Sequence, residues 1–135
     1  MALVLEATAV DHVGIAATAS STPLTALLGA AVSVREMPSG VAVGRFGPHD
    51  ALEVVLSHRD GSPIGSFLSR RGPGLHHVGL RVDEPLGDLL PRLAAAGVRV
   101  VGGVEPSADG RPSLFIHPSS TGGVLVELVE GPRRA

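Results

Sequence analysis

Short segments with alternating apolar and polar side chains recur along the chain, and a period of two is typical of β-strands. In residues 10–16, His12 and Gly14 point to one side of such a strand, while Val13 and Ile15 form an apolar side. Other segments carry leucines three and four residues apart, the spacing that gives a helix one apolar face. The pattern therefore predicts strands mixed with amphipathic helices, in an α+β fold.

The predicted elements follow the same order in both halves of the chain. The first half has a strand at 10–16, a brief helix from Pro23 to a stop at Gly29, and strands at 31–35, 40–46 and 51–56. The second half has a strand at 75–82, a helix with Leu86, Leu89, Leu90 and Leu93 that stops at Gly97, and strands at 98–101, 113–116 and 124–129. The length suits a single domain over residues 1–135, with two βαβββ modules at about 6–58 and 73–131 and a linker helix at about 62–72.

Two segments leave alternatives open. Pro91 lies inside the second helix, where a proline costs about 3 kcal/mol, so either the helix kinks there or its regular part begins later than Pro85. Residues 101–112 are rich in Gly, Ser and Pro, which favours a loop that either borders a pocket or is a plain surface connection.

A sequence repeat coincides with the two modules. Asp-His-Val-Gly-Ile-Ala at residues 11–16 recurs as His-His-Val-Gly-Leu-Arg at residues 76–81, which aligns His12 with His77. Each copy is followed by an apolar strand that one carboxylate interrupts, Glu53 in the first module and Glu127 in the second. Each module therefore offers one histidine and one glutamate at matching positions.

These residue types indicate a metal site. A buried, unpaired carboxylate costs several kcal/mol, so both glutamates are expected beside a cation or an exposed cavity. Taken singly, a strand histidine or glutamate is more often structural or solvated, but all four recur at corresponding strands of the repeat. We therefore predict one divalent ion, Zn, Ni, Co, Mn or Fe(II), held by His12, Glu53, His77 and Glu127, with two octahedral positions left for water or a chelating substrate.

The remaining histidines carry weaker predictions. His76 lies on the opposite strand face from His77 and is interpreted as structural or as support for the metal ligands. His49, His58 and His117 lie in or beside turns and are expected to be solvated, and they stay open as proton carriers.

Composition narrows the partner and the chemistry. A net charge of −2 without any basic run argues against nucleic acid or an anionic membrane, and favours a small-molecule ligand. No apolar stretch approaches the roughly 20 residues of a membrane helix, and residues 1–6 lack the features of a signal peptide, so we expect a cytoplasmic protein. The chain has no Cys, Lys, Tyr or Trp, so proton transfer falls to His, Asp, Glu, hydroxyl groups or water.

At these residues the chain resembles the vicinal oxygen chelate superfamily, which includes glyoxalase I, the bleomycin-resistance proteins, extradiol dioxygenases and methylmalonyl-CoA epimerase. The more specific likeness to the epimerases lies in Ser62-Pro63-Ile64, and in His117-Pro118 ahead of Gly-Gly-Val-Leu-Val-Glu-Leu at residues 122–128. The resemblance implies a glyoxalase-like fold, in which a mixed sheet curls into a cup around one divalent ion. It also implies the ligand set His12, Glu53, His77 and Glu127.

By the same resemblance the chain is expected to be a metal-dependent epimerase of a 2-substituted malonyl-CoA. Such an isomerase removes the C2 proton, forms a metal-stabilised enolate and returns a proton to the other face. Glu127 would be a ligand and a base, and Glu53, Glu36 or His49 would complete the pair of bases. Val43 holds a place where some relatives carry a carboxylate base, so the second base stays open. Homodimers are common among similar proteins, and the sequence leaves the oligomeric state undecided.

Three other functions resemble parts of this pattern. A glyoxalase I-like isomerase of a thiol hemithioacetal has a similar ligand set, and turnover of glutathione with methylglyoxal would reveal it. A non-catalytic drug-binding protein of the bleomycin-resistance type usually lacks the full ligand set, so metal content separates it from the enzymes. An extradiol dioxygenase needs only a three-residue triad around Fe(II), which would leave Glu53 unused.

Overall fold

The computed structural model describes residues 4–57 and 61–132, and the element order within them is βαβββ, a helix, and βαβββ again. The first module contains β1 Ala9–Ala16, α1 Pro23–Leu27, β2 Arg35–Glu36, β3 Val41–Phe46 and β4 Leu52–Ser57; α2 Pro63–Arg71 follows; the second contains β5 Gly74–Val82, α3 Leu86–Ala95, β6 Val100–Pro106, β7 Pro112–Ile116 and β8 Val126–Glu130. Short 3₁₀ turns at Pro48–Asp50 and Pro118–Ser120 precede β4 and β8. The predicted α+β class with two βαβββ modules is confirmed, and α2 lies between the modules.

The described chain divides into two compact units, residues 12–57 with 61–76, and residues 4–11 with 77–132. In the first unit the strand order is β2-β3-β4-β1, with β1 and β4 parallel and the other pairs antiparallel. Val54 and Leu56 of β4 lie in an apolar cluster with Ala17, Ala42 and Phe46. Because side chains alternate along a strand, Glu53 projects from the other face of β4.

Two helices of the first unit begin with side-chain caps. Thr22 and Thr25 form a capping box at α1, in which each hydroxyl accepts a hydrogen bond from the backbone N–H of the other residue. The Ser62 hydroxyl accepts from the backbone N–H of Gly65 at 3.0 Å and so starts α2. Each cap satisfies a donor that a helix start otherwise leaves unpaired.

The second unit repeats this plan with the strand order β5-β8-β7-β6, in which β5 and β8 are parallel and the other pairs antiparallel. The apolar face of α3 packs against the sheet in a cluster made of Val82, Leu86, Leu89, Leu93, Leu114, Ile116 and Leu128. Pro91 lies inside α3 on its exposed side, so the helix continues through the proline from Leu86 to Ala95.

Residues 4–11 belong to this second unit through specific polar contacts. The backbone N–H of Thr8 donates to the carbonyl of Arg81 at 2.8 Å. The guanidinium of Arg92 donates to the carbonyl of Val4, also at 2.8 Å. The start of the chain is thereby attached to elements more than seventy residues away in sequence.

The strand predicted at 31–35 is mostly wrong, since only Arg35 and Glu36 pair with β3. A Cβ built on Gly44 would lie 2.6 Å from Val32 Cγ1 and 2.8 Å from the Ser33 carbonyl oxygen. Residues 32–33 therefore cross the face of β3 at a glycine, where backbone can approach closely, and they do not extend its edge.

The loop predicted at 101–112 is also partly wrong, because β6 runs from Val100 to Pro106. The register against β7 shifts between Val101 and Glu105, which indicates a bulge over the intervening residues. The backbone hydrogen bonds that β6 makes with β7 outweigh the tendency of this Gly-rich segment to form a loop.

The helices of residues 4–57 and 61–132 are all too short to span a membrane.

Candidate functional site

The first unit holds a buried histidine–glutamate pair. His12 of β1 and Glu53 of β4 are 1% and 5% exposed. The strands are parallel neighbours with Gly14 opposite Glu53, so the glutamate lies near the strand position of His12 without a bulky side chain between them. The distance from His12 Nε2 to Glu53 Oε1 is 3.9 Å.

Arg45 of β3 joins this pair and was not predicted from the sequence. Its Nε donates to Glu53 Oε2 at 2.9 Å, and its Nη2 lies 3.2 Å from His12 Nδ1. Arg45 is directly opposite Glu53 in the antiparallel β3–β4 ladder, the position where opposite charges stabilise a sheet. The available signal was a lone arginine in an otherwise apolar or small strand beside the glutamate strand.

The second unit holds the corresponding pair, His77 of β5 and Glu127 of β8, which are 5% and 6% exposed. Gly79 lies opposite Glu127, just as Gly14 lies opposite Glu53 in the first unit. The distance from His77 Nε2 to Glu127 Oε1 is 3.4 Å. Within each unit, the structure brings together the histidine and glutamate that the repeat predicts.

On the antiparallel neighbouring strand, the residue opposite each glutamate differs between the units. Phe115 of β7 faces Glu127 in the ladder, as Arg45 faces Glu53. The Phe115 ring packs edge-on against His77, with ring centroids 5.5 Å apart. The two modules therefore repeat the histidine and the glutamate, but their third member is a cation in one and an aromatic ring in the other.

The other candidate bases are placed far less favourably for chemistry in a buried site. Glu36 is exposed on β2, and His49 is exposed in the turn before β4. His49 and Asp50 both adopt left-handed backbone conformations, with φ of 56° and 51°, which is uncommon for residues other than glycine. Val43 lies in β3, so this strand position carries no carboxylate.

The remaining histidines have local contacts. The His76 ring packs edge-on against Phe67 of α2, with centroids 5.0 Å apart, which agrees with a structural role. The His117 side chain accepts from the backbone N–H of Ser119 at 3.0 Å and caps the turn before β8. His58 lies outside the described residues.

A buried network around Arg111 was not predicted either. Arg111 is 1% exposed, and its two Nη groups bind the two carboxylate oxygens of Asp11 at 2.7 and 3.0 Å. Its Nε donates to Asp109 at 2.8 Å, and Nη1 also donates to the Gly131 carbonyl at 3.0 Å. The network anchors Asp11, the residue before His12, to the second unit.

The charges of this network stabilise each other. Burial raises the pKa of Asp109, but hydrogen bonds from Arg111 and Ser107 outweigh it and hold that pKa below its ordinary value of 3.8. Burial likewise lowers the pKa of Arg111, and the carboxylates of Asp11 and Asp109 raise it above its ordinary value. Asp109 and Arg111 therefore stay ionised near neutral pH.

Comparison with known proteins places the chain in a family. It is 40% identical over 84 residues to the ethylmalonyl-CoA/methylmalonyl-CoA epimerase of Cereibacter sphaeroides, an alignment that covers 60% of this chain and 62% of that protein. Its sequence is 31% identical to that of methylmalonyl-CoA epimerase from Mycobacterium tuberculosis. The crystal structure of that enzyme matches the fold with a TM-score of 0.77, over 98% of this chain and 93% of the Mycobacterium chain. The chain belongs to the methylmalonyl-CoA epimerase family.

A ligand-bound member of the epimerase family has the same fold. The Streptomyces coelicolor enzyme, solved with 2-nitronate-propionyl-CoA, is 27% identical, with a TM-score of 0.78 over 93% of this chain and 99% of the other. The matched region spans less than two thirds of the curated Cereibacter relative. No family model matches the sequence.

Proposed function

We propose that this protein is a metal-dependent epimerase that inverts C2 of a 2-substituted malonyl-CoA. The observation that carries the proposal is the buried His77–Glu127 pair in a chain of the epimerase family. Two ligand atoms on one ion at about 2.0–2.2 Å lie roughly 3.0–3.5 Å apart, and the Nε2–Oε1 distance here is 3.4 Å. The pair is therefore spaced as two ligands of one divalent ion.

The proposed ligands are those of the repeat. His12, His77 and Glu127 are buried side chains of the type that could hold a metal ion, and we assign Glu53 as the fourth. Imidazole and carboxylate donors without any thiolate suit Co, Ni, Zn or Mn. The donor chemistry fits such an ion, since burial removes water that would otherwise solvate the two carboxylates.

The substrate follows from the relatives. Three are named as epimerases of methylmalonyl-CoA, one of them also of ethylmalonyl-CoA, and one was solved with 2-nitronate-propionyl-CoA. The common chemistry is a thioester of coenzyme A with an acyl group of the propionate or malonate type. We therefore propose a 2-substituted malonyl-CoA as the substrate class.

Each residue has an assigned task in this proposal. A bound divalent ion would supply Lewis-acid stabilisation of the negative charge that develops on the substrate oxygens. Glu127 removes the C2 proton, and Glu53, after taking a proton from solvent water, is the candidate for returning one to the opposite face. Phe115 packs against His77 and limits rotation of its imidazole. Val43 offers no proton-transfer group at its position in β3.

Deuterium exchange tests the reaction directly. Metal-loaded protein is incubated with methylmalonyl-CoA in D₂O, and mass spectrometry follows deuterium at C2 against metal-free protein and buffer alone. We expect exchange well above both controls. Exchange no faster than in metal-free protein would contradict the proposal, and turnover of glutathione with methylglyoxal in its place would assign the glyoxalase activity.

Replacing Glu127 tests its role. Glu127→Gln keeps the size of the side chain but removes the basic carboxylate, so exchange should fall by about 10²- to 10⁴-fold, and bound metal, measured by elemental analysis, should also decrease. Glu105→Gln, on exposed β6, makes the same charge change elsewhere and should leave both quantities unchanged. Full activity in E127Q would remove Glu127 from the reaction.

A further inference from the structure

Arg45 has contacts that bear on how the first His–Glu pair takes up a metal ion. Its guanidinium bonds the Glu53 carboxylate through Nε at 2.9 Å and approaches His12 Nδ1 through Nη2 at 3.2 Å. A third nitrogen, Nη1, lies 3.4 Å from the Asp50 carbonyl. The guanidinium is thus held between a buried carboxylate, a buried imidazole and the turn before β4.

The contact with His12 decides which ring nitrogen carries the proton. Arginine only donates hydrogen bonds, so Nδ1 of His12 must be the acceptor and carries no proton. In a neutral imidazole the proton is then on Nε2, the nitrogen 3.9 Å from Glu53. Arg45 therefore selects one tautomer of His12.

That tautomer conflicts with metal binding at either nitrogen. A metal ion needs an unprotonated ring nitrogen, while the other nitrogen of a neutral ligating histidine keeps its proton. If the ion takes Nε2 of His12, the proton moves to Nδ1 and Arg45 can no longer donate there. If the ion takes Nδ1, it occupies the position that Arg45 holds. In both cases the Arg45–His12 contact has to break.

The charges act in the same direction. Arg45 already supplies Glu53 with the positive partner that a buried carboxylate needs. A divalent cation that binds Glu53 would share this carboxylate with the guanidinium of Arg45. Two positive charges so close together repel each other strongly in a buried site, because little water screens them. The equivalent position in the second unit is Phe115, which has no charge.

We propose that Arg45 is an internal counter-ion of the first pair, and that it must release His12 before this histidine ligates a divalent ion. The inference rests on the metal site of the proposed function. Arg45 is a positioning residue, since it acts through His12 and Glu53. Its side chain is 20% exposed, which gives the released guanidinium a route to solvent, and the Asp50 carbonyl is an acceptor on that side. Metal affinity is then set partly by the contacts that Arg45 gives up.

Zinc titration of the full chain tests the competition. Arg45→Met keeps an unbranched side chain but removes the charge and every donor. Isothermal titration calorimetry should show Zn²⁺ bound more tightly by R45M than by the original protein, on the order of tenfold or more, because a charge-assisted hydrogen bond no longer has to break. R45K should lie between the two. Arg70→Met removes the same charge from the exposed side of α2 and should bind as the original protein does.

A spectroscopic readout separates this role from a merely structural one. Nitrogen-15 NMR of the histidine rings should show His12 protonated on Nε2 in the metal-free original protein, and a changed tautomer balance in R45M. On Zn²⁺ loading, His12 of the original protein should change its protonation pattern. Added Zn²⁺ should raise the thermal midpoint of R45M by more than it raises that of R70M. In R45M the zinc ion replaces the arginine that Glu53 has lost, whereas in R70M Glu53 still has Arg45.

The outcomes distinguish this inference from the proposed function. If the original protein and R45M bind Zn²⁺ equally, or if metal-free His12 is protonated on Nδ1, the inference about Arg45 is overturned while the metal site stands. If neither protein binds Zn²⁺, the metal site fails and the competition fails with it. Should R45M not fold, R45K and the NMR of the original protein decide the question by the same criteria.

Discussion

Replacing Arg111 by methionine measures how much the buried salt-bridge network contributes to the second unit. Arg111→Met retains a flexible side chain but removes the guanidinium that bonds both carboxylate oxygens of Asp11 and both of Asp109. Asp11 is 5% exposed, so water cannot easily replace those donors. The variant therefore leaves a buried negative charge without its arginine.

The expected loss follows from that burial. Breaking a buried ion pair by removing one partner costs about 3–5 kcal/mol. Unfolding entropies near 2.1 cal/mol/K per residue give roughly 0.28 kcal/mol/K for a chain of 135 residues. Each kcal/mol then corresponds to about 3.5 °C, so the thermal midpoint should fall by roughly 10–18 °C.

Urea denaturation followed by circular dichroism at pH 7, with parallel thermal melts, measures this loss. Arg99→Met, at an exposed position in the same unit, is the matched control for the loss of one positive charge. Adding Asp11→Asn to R111M should restore part of the stability, because the buried negative charge is removed as well. If R111M and R99M agree within about 1 kcal/mol, the argument from buried charge is wrong.

Two further predictions concern stability. Gly44→Ala should lower the unfolding free energy by about 1–3 kcal/mol, because its Cβ would lie 2.6 Å from Val32 and 2.8 Å from the Ser33 carbonyl. Gly87→Ala in α3, which meets nothing within 4 Å, is its control and should not destabilise in urea titrations. Because the folded-state pKa of Asp109 lies below its ordinary value of 3.8, its stabilisation is present above that pH and is lost as pH falls through the folded pKa. The stability difference between the original protein and D109N should therefore shrink below about pH 4, and a constant difference from pH 6 to pH 3 would contradict this.

Local periodicity was enough to predict most elements and the main polar positions. The period of two in β4 arises because Val54 and Leu56 pack into an apolar cluster on one side of the strand, and this places Glu53 on the other side. The internal repeat carried the same reasoning to Glu127. Each predicted histidine–glutamate pair could be recognised because both members lie in strands whose apolar alternation or apolar run they interrupt.

Contacts that depend on register or on distant pairing could not be predicted. A symmetric four-residue turn at 47–50 would pair Phe46 with Ala51, whereas the observed ladder pairs Phe46 with Leu52 and thereby brings Arg45 opposite Glu53. Asp11 and Arg111 are separated by 100 positions, and no local pattern connects them. The partners of both arginines are set by tertiary structure, so composition and spacing did not reveal these contacts.

The attachment of residues 4–11 to the second unit affects any attempt to separate the two halves of the gene. A fragment that starts at residue 73 would lack the backbone partner of Arg81, the carbonyl acceptor of Arg92 and the carboxylate clamped by Arg111. We expect such a fragment to fold poorly alone and to improve when the segment 4–11 is supplied as a peptide or by circular permutation. The boundary between the two sequence modules is thus not the boundary at which this polypeptide can be divided.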